Sequence, residues 1–261
     1  MSKRCAKQLT RRQQLISRDY QASRGLAQAC QKEIRDNRCK KGLKKGDGGD
    51  KVVKLTQILL CLEGALRSGD SDVGPECQRE TLEHRRMLME DFQISPEIVD
   101  ACKVVIQQFC TPLRLGGQTI HCLMKVASTH DMEAAPTCEN ALRKLLREAN
   151  VVQDWKVDPI LQASCQDVVI AGCDPKAGND VVMSCLMSLA ATNSHHMNKE
   201  CKRTLLEIQY FIARDFALDP KLYRKCARDA QEFCAAEEDW YEKATQPDFK
   251  AASLVFPCLV R

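Results

Sequence analysis

The cysteines of this chain follow one spacing pattern that recurs four times. The gaps are 24, 8, 21 and 15 residues from Cys5, then 24, 7, 11 and 15 from Cys77, then 26, 7, 11 and 15 from Cys138, and finally 24, 7 and 23 from Cys201. A fixed period of this length is the sequence signature of tandem structural repeats. We therefore predict four repeats, which span residues 1–76, 77–137, 138–200 and 201–261.

The number and spacing of the cysteines favour disulfides over metal sites. Their count is even, no C-x-x-C pair occurs, and the five histidines lack zinc-finger spacing. An oxidising, secretory compartment is the expected setting, without metal or cofactor; the alternative is a cytosolic helical scaffold with reduced thiols. We predict disulfides at all sixteen positions: Cys5, Cys30, Cys39, Cys61, Cys77, Cys102, Cys110, Cys122, Cys138, Cys165, Cys173, Cys185, Cys201, Cys226, Cys234 and Cys258.

Helix signals recur in step with the cysteines. Ser or Asp followed by Pro, as in N-caps, precedes the second cysteine of three repeats, at Ser95-Pro96, Asp158-Pro159 and Asp219-Pro220. Apolar residues then keep helical spacing, and strand signals are lacking. The prediction is an all-α tandem array of four disulfide-stapled repeats, each of about three helices and each packed on its neighbours.

The spacing leaves the pairing of the cysteines open. The second and third cysteines share a predicted helix about 12 Å apart along its axis, too far for a bond. If the first two helices form an antiparallel hairpin, Cys77 faces Cys110 and Cys102 is left for Cys122. We favour this first–third and second–fourth scheme, although a pairing of first with second and third with fourth, or one that crosses repeats, also fits.

The repeat resembles that of a known family. Asp158-Pro159 and Leu161 precede Cys165, then Cys173 and the Cys185-Leu186 pair, and the same order recurs from Asp219 to Leu259. This signature is similar to the repeat of the Golgi sialoglycoproteins, also called cysteine-rich fibroblast growth factor receptors and E-selectin ligands. The resemblance implies a Golgi membrane glycoprotein with many lumenal repeats, one C-terminal membrane helix, and growth factors or other secreted proteins as partners.

The two ends of the sequence suggest an incomplete chain. Residues after Met1 lack the apolar run of a signal peptide, and no stretch of eighteen apolar residues could span a membrane. Because disulfide-rich proteins are exported, we expect this chain to be a fragment whose membrane anchor lies elsewhere in the full-length protein.

Charge divides the chain into a basic and an acidic part. Residues 1–60 hold sixteen Lys and Arg against five Asp and Glu, a net charge of +11, and the remainder holds 23 against 30, a net charge of −7. We expect sulfated glycans at an inserted lysine loop and a basic protein at an inserted acidic loop, but no nucleic acid. These candidate residues are Lys40, Lys41, Lys44 and Lys45 in the first loop, and Glu237, Glu238, Asp239, Trp240 and Tyr241 in the second.

Catalytic patterns do not stand out in the sequence. The glycines between Gly46 and Gly49 lack the phosphate-binding pattern, and no nucleophile elbow is present. His195 and His196 lie in a polar turn before Cys201, where we expect exposure rather than acid–base work. We therefore predict a binding module and not an enzyme.

Overall fold

The described part of the chain folds into a succession of helices, as the sequence predicts. Within the described residues of the computed structural model, all regular elements are helical: thirteen α-helices and two 3₁₀ turns. The described residues are 3–40, 53–68, 73–110, 117–129, 135–214, 220–236 and 258.

Repeats 1 to 3 each contribute a first, a second and a third helical segment, and the described residues of repeat 4 contribute the first two. In repeats 1 and 2 the second segment is interrupted by a turn at its cysteine, and in repeat 3 it is continuous. Repeat 1 comprises α1 (Lys3–Arg18), α2 (Arg24–Ala29), α3 (Gln31–Asp36) and α4 (Leu55–Ser68). Repeat 2 comprises α5 (Pro75–Glu90), α6 (Pro96–Ala101), α7 (Lys103–Phe109) and α8 (Gln118–Ser128). Repeat 3 comprises α9 (Pro136–Ala149), α10 (Pro159–Gly172) and α11 (Asn179–Ala191), and repeat 4 comprises α12 (Lys199–Arg214) and α13 (Pro220–Cys234).

The predicted caps start the second helices. The Ser95 hydroxyl accepts from the backbone N–H of Ile98, and the Asp158 carboxylate accepts from the N–H groups of Ile160 and Leu161. These bonds satisfy backbone donors that have no partner within the helix. Proline follows both caps and fits the first helical turn, so the local sequence is sufficient to start these helices.

The side chains that recur around the cysteines form the core. The leucine after the fourth cysteine is fully buried in repeats 1 to 3 (Leu62, Leu123 and Leu186). Tyr20 and Trp155 follow the first helix of repeats 1 and 3 and are also buried. Burial of these apolar groups is the main driving force that holds each repeat together.

One set of disulfides joins the third and fourth cysteines of the same repeat. They are Cys39–Cys61, Cys110–Cys122, Cys173–Cys185 and Cys234–Cys258. The predicted bond between first and third cysteines is therefore wrong. Cys110 ends α7 and Cys122 lies in the second turn of α8, so the short connection between them brings the two side by side, with 5.8 Å between their Cα atoms.

A second set of disulfides joins one repeat to the next. It pairs the second cysteine of a repeat with the first cysteine of the following repeat, in Cys30–Cys77, Cys102–Cys138 and Cys165–Cys201. The predicted second–fourth bond is thus also wrong. The physical reason is helix packing: the second helix lies against the first helix of the next repeat, with α2 on α5, α6 on α9 and α10 on α12.

Cys5 and Cys226 lie outside these seven bonds. Cys5 is a first-position cysteine and Cys226 a second-position one, so each belongs to the class that bonds across a repeat boundary. Four repeats contain only three such boundaries. Among the described residues the predicted disulfides are present at the other fourteen positions, Cys226 has no disulfide there, and the bond predicted for Cys5 stays a prediction.

Packing also extends beyond adjacent repeats. The third helix of repeat 1, α4, contacts α9 of repeat 3, and the third helix of repeat 2, α8, contacts α12 of repeat 4. Repeats of a simple solenoid contact only their neighbours. Here the third helices of repeats 1 and 2 instead reach the repeat after next, so three successive repeats meet at each of these two junctions.

Candidate binding surfaces and repeat junctions

The lysine loop is described only at its first residue. Lys40 is exposed, and its ammonium lies 5.3 Å from the centroid of the Tyr20 ring. At this distance a cation is attracted to the face of an aromatic ring. Lys41, Lys44 and Lys45 lie outside the described residues, so their predicted glycan contact stays a prediction.

The acidic loop likewise remains a prediction. Its five candidates, Glu237, Glu238, Asp239, Trp240 and Tyr241, all lie outside the described residues. The helix that precedes it, α13, ends at Cys234. Cys234 is bonded to Cys258, which closes the inserted segment into a loop anchored at both ends.

A basic stripe on α1 is a candidate surface that the sequence reasoning did not locate. Arg4, Lys7, Arg11 and Arg18 are exposed and lie on one side of the helix, because their spacing follows its turn. The stripe extends for about 21 Å along the helix axis. Since α1 contains no acidic residue, these cations are not neutralised from within their own helix.

A buried polar cluster lies at the junction of repeats 2, 3 and 4. His121 of α8 is bonded through Nε2 to Asp158 at 2.7 Å and through Nδ1 to Glu207 of α12 at 2.8 Å. All three side chains are buried. A carboxylate at each ring nitrogen requires both nitrogens to donate, so this geometry selects the imidazolium form.

The two carboxylates of the cluster have further partners. The second oxygen of Asp158 caps α10, as described above, while the second oxygen of Glu207 accepts from Arg203 at 3.2 Å. Burial lowers the pKa of His121, but the charges and hydrogen bonds of Asp158 and Glu207 outweigh this effect and raise that pKa to about 9. His121 is therefore a permanent cation at neutral pH that joins three repeats.

A different set of charges lies where repeats 2 and 3 meet. Lys144 of α9 donates to both carboxylate oxygens of Glu97 at 2.6 Å. Glu148 lies one turn further along α9. Burial raises the pKa of Glu148 against the opposing charge of Lys144, and Glu97 adds to the rise, to about 7. This carboxyl therefore titrates close to neutrality.

A buried ion pair also joins repeats 1 and 2. Arg85 of α5 lies 2.5 Å from the carboxylate of Glu63 of α4, and it also donates to the backbone carbonyl of Leu59 at 3.2 Å. Both charged side chains are buried. Desolvated pairs of this kind specify one arrangement of helices, since loss of either partner leaves a buried charge.

Sequence reasoning missed these junction residues because it considered each repeat by itself. His121 directly precedes Cys122 and Leu123, which are parts of the repeat signature. A histidine at that position is the sequence feature that could have pointed to the buried cluster. Its partners are 37 and 86 residues away. No local pattern brings those positions together.

Clusters of three or more His, Cys, Asp or Glu side chains that could hold a metal ion are not found within the described residues. Among the helices of the same residues, none has the length and apolar character needed to cross a bilayer.

Covalently joined helical repeats with disulfides inside and between them define a secretory-pathway class of repeat protein. The model of the cysteine-rich repeat family, of the Cys-rich FGFR type, matches residues 3–70, 75–131, 136–193 and 199–259. The chain belongs to this family. No solved structure matches it.

The curated relatives carry a Golgi name. The chain is 39% identical over its whole length to Golgi apparatus protein 1 of Homo sapiens and 38% identical to that of Gallus gallus. It is 33% identical over 93% of its length to the Golgi apparatus protein 1 homolog of Caenorhabditis elegans. The chain spans 21% to 22% of the length of these relatives. The chain is thus similar to one segment of Golgi apparatus protein 1, and the predicted resemblance to this family is confirmed.

Proposed function

We propose that this segment is a non-enzymatic binding scaffold, which holds basic secreted growth factors and sulfated glycans in the Golgi lumen. The observation that carries the proposal is the separation of charge along a covalently joined array. The +11 charge of residues 1–60 and the −7 charge of the remainder lie on repeats that are fixed to one another by disulfides. Surfaces of opposite sign attract different partners.

The basic part suits a sulfated glycan. The stripe on α1 presents four cations in a row, which matches a linear polyanion better than a closed pocket does. Lys40 and the remaining loop lysines add charge to the same repeat. Exposed cations of this kind bind by long-range attraction, which salt screens beyond about 10 Å at 0.1 M.

The acidic part suits a basic protein. The family is named after fibroblast growth factor receptors. Fibroblast growth factors are basic proteins. The predicted loop of Glu237, Glu238, Asp239, Trp240 and Tyr241 combines aromatic anchors with negative charge. Buried aromatic anchors with a polar surround are typical of energetic centres in protein interfaces.

Heparin chromatography tests the glycan part. We expect the variant Arg4→Gln/Lys7→Gln/Arg11→Gln, and separately the Ala variant of Lys40, Lys41, Lys44 and Lys45, to elute at lower salt than the wild type. The matched control Lys103→Gln/Lys125→Gln/Lys176→Gln removes three exposed cations from repeats 2 and 3 and should elute later than the α1 variant. Equal elution of the α1 variant and the control would show that only net charge matters.

Surface plasmon resonance with an immobilised basic fibroblast growth factor tests the protein part. We expect the full chain to bind, and the variant Glu237→Gln/Glu238→Gln/Asp239→Asn/Trp240→Ala to bind at least about tenfold more weakly. Circular dichroism checks that the variant keeps its helical fold. Unchanged affinity would remove the acidic loop from the proposal, and no binding by the wild type would remove growth factors.

A further inference from the structure

A groove of about 380 Å³ lies between repeats 1 and 2. Its walls come from α1, from the start of α2 and from α5. Ser23, the N-cap of α2, and Gly25 of α2 line one side, and Glu83, His84 and Met87 of α5 line the other. The floor is fixed by a hydrogen bond of 2.8 Å between the hydroxyl of Ser23 and Nε2 of buried His84.

The same positions are covered by a helix at the junction of repeats 2, 3 and 4. Glu83 stands six residues after Cys77, just as Glu207 stands six residues after Cys201, and Glu207 is bonded to His121 of α8. Ser23 stands seven residues before Cys30, just as Asp158 stands before Cys165. Asp158 is the second partner of His121.

Two further correspondences support this comparison. Gly25 is equivalent by cysteine register to Ile160, whose side chain lies against Gly117 at the start of α8. Met87 is equivalent to Glu148 of α9, and α9 is the helix that α4 covers. At two junctions, therefore, the third helix from two repeats earlier lies on the surface that in repeats 1 and 2 forms the groove.

We propose that the groove between repeats 1 and 2 is a docking site for the third helix of another cysteine-rich repeat. The occupant presents an imidazole or ammonium group just before its own Cys-Leu pair, in the place that His121 takes in α8. That cation meets the carboxylate of Glu83 and the hydroxyl of Ser23. Three carboxylates, Glu80, Glu83 and Glu90, line the groove against two arginines, Arg12 and Arg24, so its lining has an acidic excess that matches a cation. The α4–α9 and α8–α12 interfaces supply the geometry.

This inference goes beyond the proposed function, because it concerns how repeats join and not what the array carries. The inference explains why the junction of repeats 1 and 2 has an open groove, while a third helix covers the same surface at the other two junctions. It also makes repeat 1 a surface on which a further stretch of repeats can continue the array with the same contacts.

Fluorescence anisotropy with the full chain and a labelled, helix-stapled peptide tests the proposal. The probe is the α8 sequence, residues 117–129, with Cys122→Ser to prevent mixed disulfides. We expect saturable binding that weakens about tenfold or more in the chain variant Glu83→Lys and with the peptide variant His121→Leu. Circular dichroism verifies that the peptide is helical and that the variant chain unfolds at the wild-type temperature.

The matched control is the chain variant Glu232→Lys, which makes the same charge change on the exposed surface of α13. It should bind the peptide as the wild type does. Two results would overturn the proposal: no binding by a helical peptide at millimolar concentration, or equal weakening by Glu83→Lys and Glu232→Lys. The second result would mean that only overall charge attracts the peptide.

Discussion

Cys102 of repeat 2 is bonded to Cys138 of repeat 3, and their Cα atoms lie 4.6 Å apart. Equivalent bonds join repeat 1 to repeat 2 and repeat 3 to repeat 4. A repeat of about 60 residues has a marginal core by itself. The array therefore gains stability from crosslinks that tie each small core to the next one, and the remaining disulfides close loops within a repeat.

The bond between repeats should contribute more to stability than the bond within a repeat. Cys102 and Cys138 are 36 residues apart, against 12 for Cys110 and Cys122. Restriction of the unfolded chain then stabilises the fold by about 4 kcal/mol in the first case and about 3 kcal/mol in the second. Urea unfolding of the variants Cys102→Ala/Cys138→Ala and Cys110→Ala/Cys122→Ala measures the two losses of unfolding free energy. A larger loss in the second variant would contradict the prediction.

His121 should make the fold less stable at alkaline pH. Its pKa is raised to about 9 in the folded protein from 6.5. The stabilisation is thus fully present below pH 6.5 and is lost as pH rises through 9, by about 3 kcal/mol. Urea unfolding at pH 6 and pH 9.5, after alkylation of thiols, should show this loss in the wild type and a much smaller one in His121→Gln. Parallel losses in the two proteins would exclude His121 as the cause.

Glu148 should lower stability as its carboxyl ionises. Its pKa is raised from 4.5 to about 7, so the unfavourable contribution is absent below pH 4.5 and grows as pH rises through 7. We expect Glu148→Gln to match the wild type at pH 4.5 and to exceed it by about 1 kcal/mol at pH 8, allowing for residual solvent contact. Equal stability at pH 8 would show that Lys144 already compensates the charge.

Cys226 should react as a thiol. It is half-buried and carries no disulfide among the described residues. Iodoacetamide without a reductant should label it in the denatured chain and, more slowly, in the folded chain, because only the exposed thiolate reacts. Peptide mass spectrometry locates the label, and Cys226→Ser provides the control. A denatured, unreduced chain without label at Cys226 would indicate a bonded cysteine.

Local features of the fold could be predicted from the sequence. Ser95 and Asp158 cap their helices, and the leucines after the fourth cysteines are buried, because these roles depend on residues a few positions apart. Phe109 is an exception. Its helical spacing with Val105 favours a place on the same apolar face, yet Val105 is buried and Phe109 is 51% exposed.

Contacts between repeats could not be predicted in the same way. The partner of Cys102 depends on which helix packs against α6, and that helix belongs to the next repeat. The site of His121 requires α8 and α12 to meet across 86 residues of sequence. Spacing alone leaves such choices open, because several pairings satisfy the same loop lengths.

The disulfide map of the unreduced protein tests the account most directly. Thiols are first alkylated at acidic pH to prevent exchange, and the digested protein is then analysed by mass spectrometry. We expect linked peptides that contain Cys30 with Cys77, Cys102 with Cys138, and Cys165 with Cys201. Linked peptides that join Cys77 with Cys110 and Cys102 with Cys122 would contradict the account, since the repeats would then be closed units without covalent bonds between them.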